Sequence, residues 1–243
     1  MHYVRFVARR ELSTLLEGGS FFEGPRWHAG RWWVSDFYRH TVATVDVDGR
    51  QETVLEVEAQ PSGLGWMPDD SLLVVSMKDH RVLRRGADGS LATHAVLSSH
   101  CGGPLNDMVV DTAGRAYVGN FGFELMAAAD PAPAVLCRVD PDGAVQVVAE
   151  DLLFPNGSVI TPDGRTLIVG ETLGCRYRVH DRGRRHAGRT AHLGATRSHA
   201  DLGRLRRDPP TGDRRARRMR SRRGRSDLDG RRARRPLCSG ARG

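Results

Sequence analysis

The chain has 243 residues, room for one or two domains, and its 37 Lys+Arg against 29 Asp+Glu give a formal net charge of +8. That average conceals two unlike segments: residues 1–175 carry 14 basic and 23 acidic side chains, whereas the last 68 carry 23 Arg and 6 Asp. The first segment, at −9, has an ordinary globular composition; the second, at +17, has no Lys, Glu, Phe, Trp or Ile. So little apolar surface cannot offset chain entropy, and the composition predicts a folded body over 1–178 and a disordered Arg-rich tail over 179–243. The charged N-terminus lacks the apolar core of a signal peptide, and no run approaches the ~18 apolar residues of a membrane span. A cytoplasmic protein with no membrane partner is expected. Cys101, Cys137, Cys175 and Cys238 lie 36 or more residues apart, with no Cys-x-x-Cys or His-Glu-x-x-His arrangement, so reduced thiols are expected and zinc-finger or zinc-protease readings lack support.

Helical periodicity is nearly absent. Arg10–Glu17 is the one segment that reads as a helix, and it reads equally well as the outer strand of a closing sheet. From there a unit repeats. An apolar strand follows a turn in WHAGRWWVSD, MPDDSLLVVS, DTAGRAYVGN and TPDGRTLIVG, whose turn residues Gly30, Asp70, Gly114 and Gly164 are 40, 44 and 50 positions apart. A second Asp-Gly turn recurs in VDVDGRQETV, RRGADGSLAT and RVDPDGAVQV. Short β-branched strands between such turns predict antiparallel hairpins, and the period matches a four-stranded propeller blade. The fold class predicted is therefore all-β, a β-propeller of about four blades in this chain, with a smaller β-sandwich as the alternative.

Three polar positions share one phase of the repeat. Glu23 lies in SFFEGPRW, Asn106 and Asp107 in CGGPLNDMVVD, and Asn156 in LLFPNGSVITPDG. Alone, each has a plain reading as a solvated loop acid, an Asx turn or a Pro-Asn-Gly turn. Together they stand just ahead of a blade's first apolar strand, the rim of a propeller's central channel, where oxygen donors from separate blades converge. Carboxylate and amide oxygens without thiolate or imidazole suit a hard cation such as Ca²⁺, Mg²⁺ or Mn²⁺.

The motifs Glu23-Gly24-Pro25-x-Trp27, Gly103-Pro104-Leu105-Asn106-Asp107 and Pro155-Asn156-Gly157, with the Asp-Gly turns, resemble the family of gluconolactonase, regucalcin and luciferin-regenerating enzyme over about residues 11–178. The resemblance implies a six-bladed propeller, truncated here, whose axial divalent metal serves hydrolysis of a lactone or related ester. By position, Glu23 and Asn156 would be metal ligands, and Asn106 a substrate-binding or metal-proximal amide supported by Asp107. Ca²⁺ would be the foremost cofactor, with Mg²⁺, Mn²⁺ or Zn²⁺ as alternatives. Two departures stand out. Pro104 occupies a segment in which some members have Arg, so substrate preference does not transfer. The family's last ligand, an Asp in a later Pro-Asp-Gly turn and its expected general base, has no counterpart after Gly164, so the catalytic base is unassigned and an impaired enzyme is expected.

The tail has the composition that GC-rich DNA yields out of frame. Back-translation of Arg217–Arg232 with permitted codons, read one nucleotide later, allows Asp-Gly-Cys-Ala-Leu-Asp-Ala-Asp-Gly-Ala-Ile-Trp-Thr-Ala-Asp-Ala, which restates the blade pattern. A frameshift near Arg176 to Arg184 is the reading adopted. The rival readings are a non-catalytic propeller that binds a ligand or protein on its rim, and a tail that binds nucleic acid. Tyr177 is the only Phe, Tyr or Trp in the last 68 residues, too few for base stacking, so polyanion contact through that +17 segment is expected to be non-specific.

Overall fold

The computed structural model describes residues 13–181 and 191–193, and the turns read from the sequence divide them into four meandering antiparallel sheets. The first contains β1 (Phe22–His28), β2 (Arg31–Asp36), β3 (Thr41–Val45) and β4 (Gln51–Glu56). The second contains β5 (Pro61–Trp66), β6 (Leu72–Ser76), β7 (Arg81–Arg85) and β8 (Leu91–Val96). The third contains β9 (Leu105–Val110), β10 (Ala116–Asn120), β11 (Ala134–Val139) and β12 (Val145–Leu152), and the fourth β13 (Pro155–Ile160), β14 (Thr166–Glu171), β15 (Arg176–Asp181) and β16 (Ala191–Leu193). These are four blades of a β-propeller, and β1, β5, β9 and β13 are their innermost strands. The sandwich alternative is overturned, because the strands form four separate sheets rather than two facing ones. The turn residues Gly30, Asp70, Gly114 and Gly164 all have positive φ, which explains why three of the four are glycine.

Burial records each blade's place in the series. In β6, Leu73 and Val75 pack toward the third blade while Leu72 and Val74 pack toward the first, because successive side chains leave opposite faces of a strand. In β10, Ala116 and Val118 face the second blade and Tyr117 the fourth, where it meets Leu136, Leu152, Leu167 and Val169. Both middle strands are buried throughout, as expected of sheets covered on two faces. The outer faces of the end blades lack such cover among the described residues: Trp27 and Trp32 of the first blade stay half-exposed, as do Val159 and Tyr177 of the fourth.

One irregularity recurs in all four blades. In the pairing of each innermost strand with the next, one extra residue sits on the inner side: between Glu23 and Arg26, Pro61 and Leu64, Leu105 and Met108, and Asn156 and Ser158. Such bulges bend the strand and re-aim its side chains. Counting from the pairs Phe22–Asp36, Pro61–Ser76, Leu105–Asn120 and Pro155–Glu171, the residue entering the bulge is Glu23, Ser62, Asn106 and Asn156 respectively. Glycine follows in three blades, and close packing demands it at Gly63, where a Cβ would lie 2.4 Å from the Met108 amide nitrogen. The polar residues at the far end of the second strands pin the loops before the bulges. Asp36 accepts hydrogen bonds from the Ser20 and Phe21 amides, and Glu171 from the Leu153 amide.

The described part of Arg10–Glu17, residues 13–17, is neither helix nor strand, which corrects both expectations there. Without a hydrophobic face repeating every 3.6 residues, that stretch has nothing to hold a helix. Asn106, Asp107 and Asn156 lie within strands rather than in the reverse turns their local sequences favour. Past residue 178 the chain still pairs, β15 with β14 through Asp181 and β16 with β15. Arg176 and Arg178 both donate to the buried Glu171 carboxylate, from 2.7 and 2.6 Å. The remainder of the 179–243 tail, including the Arg217–Arg232 segment, lies outside the described residues.

Gly63→Ala should cost ~3 kcal/mol or more, because backbone rather than a flexible side chain blocks the new methyl, whereas Val159→Thr on the open face should change stability by less than ~0.5 kcal/mol; chemical denaturation of the two variants measures the contrast. Burial opposes the Glu171 charge, but hydrogen bonds from Arg176, the Leu153 amide and Arg178 outweigh it and hold the carboxyl below the usual glutamate range. Its stabilisation is therefore complete above the unfolded-state value and is lost as pH falls through the depressed native one. Glu171→Gln should cost about 2–3 kcal/mol at neutral pH, below the ~3–5 of a fully buried pair because both arginines keep some solvent contact, and the loss should shrink in acid.

Candidate axial site

The bulges place four polar side chains at one level of the innermost strands, one from each blade. Glu23 is partly buried at the start of β1, Ser62 and Asn106 are buried in β5 and β9, and Asn156 is partly exposed in β13. The strands approach one another closely here. The Ser35 hydroxyl donates to the Ser62 carbonyl at 2.6 Å, linking the first blade to the second, and Asn106 Nδ2 donates to the Pro155 carbonyl at 3.2 Å, linking the third to the fourth. A Cβ on Gly119 would lie 2.9 Å from that same Pro155 oxygen.

Asp107 brings a second carboxylate. It is buried, and Arg26 Nη2 donates to its Oδ1 at 2.6 Å and to the Met108 carbonyl at 2.7 Å. Arg26 thus spans from the first blade to the third. Burial pushes the Glu23 carboxyl above its usual range, the nearby Asp107 charge adds to this, and a hydrogen bond from the Gly24 amide partly offsets both. Of the residues expected at the site, Glu23 and Asp107 therefore sense each other, and Asn106 reaches the backbone beside Asn156.

Sequence reasoning did not single out Arg26 or Ser62. Arg26 carries no local signal, since its partner is 81 residues away. Ser62 was legible in principle, because Pro61-Ser62-Gly63 stands in the same phase as Pro155-Asn156-Gly157. Its hydroxyl oxygen is buried without a hydrogen-bond partner among the described residues, which costs roughly 1–3 kcal/mol if uncompensated.

No three His, Cys, Asp or Glu side chains among the described residues cluster as a ready-made metal cage, so a cation here would depend on amide and hydroxyl oxygens as well. A groove of about 830 Å³ opens at the other end of the innermost strands, lined by His28, Trp33, Trp66, Arg84 and His94 among others. Within it Arg84 pairs with Asp69, and His28 Nε2 lies 2.9 Å from Asp70 Oδ1. Cys101, Cys137 and Cys175 form no disulfide among the described residues, and no described helix is long and apolar enough to cross a membrane.

Four meander sheets, with oxygen donors entering from the bulges of their innermost strands, define a propeller with a candidate axial site. The chain belongs to the SMP-30/gluconolactonase/LRE-like family, whose model matches residues 21–204. It is similar to a gluconolactonase from Xanthomonas campestris described as important in glucose secondary metabolic pathways, at 25% identity and a TM-score of 0.61, over 74% of this chain and 64% of that one. Regucalcin from Agrobacterium tumefaciens, a calcium-binding protein, is 23% identical with a TM-score of 0.56, over 67% of this chain and 54% of that one. A luciferin-regenerating enzyme shares the fold at 15% identity and a TM-score of 0.58, over 74% of this chain and 61% of its own. This chain thus spans less than two thirds of each. No curated protein sequence matches it significantly.

Because Glu23 is raised rather than lowered, its ionisation works against the fold: stability present at low pH is lost as pH rises through the native-state value. In chelator-treated buffer at neutral pH, Glu23→Gln should raise Tm by ~1–3 °C, and the advantage should vanish in acid, where Glu23 is neutral. Thermal melts at the two pH values read this directly.

Proposed function

We propose that the axial site binds a divalent cation, Ca²⁺ foremost, and that it serves hydrolysis of a lactone or related ester. The observation that carries this reading is the recurrence of one bulge in four blades, which delivers Glu23, Asn106 and Asn156 to one level, with Asp107 close to Glu23. Membership of the SMP-30/gluconolactonase/LRE-like family and the likeness to a gluconolactonase support it. The donor chemistry fits: every side chain is a hard oxygen donor, and of the two neighbouring carboxylates Asp107 is paired with Arg26 while Glu23 is not, so an added cation would relieve the uncompensated charge.

Glu23 and Asn156 would hold the cation, with Asn106 beside it. Once bound, the cation supplies Lewis acidity toward an ester carbonyl. Asn106, steadied by its bond to the Pro155 carbonyl, would orient the substrate, and Arg26 keeps the Asp107 carboxylate in position behind it. A proton acceptor for the attacking water is the missing part, since no Pro-Asp-Gly turn follows Gly164. Turnover by this chain is therefore expected to be weak. The 179–243 tail enters this reading as out-of-frame sequence, with only non-specific affinity for polyanions; sequencing the coding DNA around codon 176 tests that.

Calorimetric titration with CaCl₂ should show one site that Glu23→Gln abolishes, while glucono-1,5-lactone, used as probe, should hydrolyse little faster than in buffer. A chain that takes up no divalent cation would overturn the metal assignment. Robust cation-dependent hydrolysis would overturn the impairment.

A further inference from the structure

Three of the four bulge-entry residues, Glu23, Asn106 and Asn156, are absorbed by the proposed site; Ser62 is the fourth. Its backbone position is the equivalent of theirs by strand register, following Pro61 opposite Ser76 as Asn106 follows Leu105 opposite Asn120. The residue is fully buried, and its hydroxyl oxygen makes no hydrogen bond among the described residues. The surroundings do not explain this as packing. The Ser62 carbonyl is engaged by Ser35, and Gly24 and Gly63 bring the flanking strands against the backbone, yet the hydroxyl itself is left over. A buried residue in contact only with protein would be better served by alanine, which carries no polar atom to desolvate.

We propose that Ser62 Oγ is a direct ligand of the axial cation, the second blade's contribution to the site. This rests on the reading of that site as a cation site. Glu23, Asn106 and Asn156 leave the sphere of a cation that takes six to eight oxygens short of donors, and a hydroxyl at the same level is a neutral oxygen of the right hardness. Because Ser62 adds no charge, it completes the set without deepening the repulsion between Glu23 and Asp107. A site supplying several protein oxygens favours Ca²⁺ over the smaller Mg²⁺, which keeps most of its water.

The test is calorimetric titration of the full chain with CaCl₂, comparing the unaltered protein with Ser62→Ala and Glu23→Gln, followed by CdCl₂ titration of Ser62→Cys. Ser62→Ala should melt normally without metal and bind Ca²⁺ about tenfold more weakly. Ser62→Cys should lose Ca²⁺ affinity but gain Cd²⁺ affinity, with a sulfur-to-cadmium absorption in the difference spectrum against the unaltered chain, whose own cysteines contribute to both. Only a thiol within bonding reach of the cation produces that exchange, so a merely structural serine would not. Ca²⁺ binding by Ser62→Ala within twofold of the unaltered chain, or no cadmium gain in Ser62→Cys, overturns the role of Ser62 while leaving the cation site standing. Absence of Ca²⁺ binding by the unaltered chain overturns both.

Discussion

Backbone meets backbone at Gly63, and the arrangement of the inner strands depends on that approach. A side chain at this point would sit 2.4 Å from the Met108 amide nitrogen and 2.8 Å from the Asp107 carbonyl carbon, so β5 and β9 are nearer here than any residue with a Cβ permits. The same proximity recurs between Gly24 and the Ser62 carbonyl, and between Gly119 and the Pro155 carbonyl. Propeller blades fan outward from their innermost strands, so tight inner contacts allow the outer strands to splay while still enclosing apolar side chains. The one-residue bulges supply the local bend. Together they set side chains from four blades at a common level.

Between the blades, the apolar side chains divide by strand parity. Leu72 and Val74 serve one interface while Leu73 and Val75 serve the next, and Tyr117 faces the opposite way from Ala116 and Val118. The second strand of a middle blade is thus buried throughout, whereas burial alternates along β14 of an end blade although its Leu167-Ile168-Val169 run is continuously apolar. The half-exposed Trp27, Trp32, Val159 and Tyr177 follow from the same rule applied to sheets with one covered face.

The electrostatics of the axial site derive from this geometry. Glu23 and Asp107 belong to the first and third blades, yet Arg26 reaches across to Asp107 and the two carboxylates interact. A carboxylate pair with one guanidinium, at the level of the buried Asn106 amide and a Ser62 hydroxyl without a partner among the described residues, is costly as it stands. It is an arrangement in which a hard divalent cation would be stabilising, and the proposed cation site follows from that imbalance. At Glu171, by contrast, two arginines and a backbone amide satisfy the carboxylate, and the result is a structural anchor for β15.

Turn chemistry and strand patterning are local, and the sequence by itself determined what depends on them: the all-β class, the four-blade count within the described residues, and the turns at Gly30, Asp70, Gly114 and Gly164. The phase shared by Glu23, Asn106 and Asn156 was visible for the same reason, since a repeat aligns its own members. What the sequence left open depends on pairing at long range. Asn106, Asp107 and Asn156 read locally as turn residues, but pairing with β10 and β14 holds them in strands and converts the extra residue into a bulge. Ser62 escaped notice because serine before glycine is ordinary, and only its burial without a partner sets it apart. Arg26 became meaningful through a carboxylate on another blade. The tertiary structure decided these because burial, register and approach across blades arise only when distant segments meet, 81 residues apart for Arg26 and Asp107 and 49 for Asn106 and Pro155.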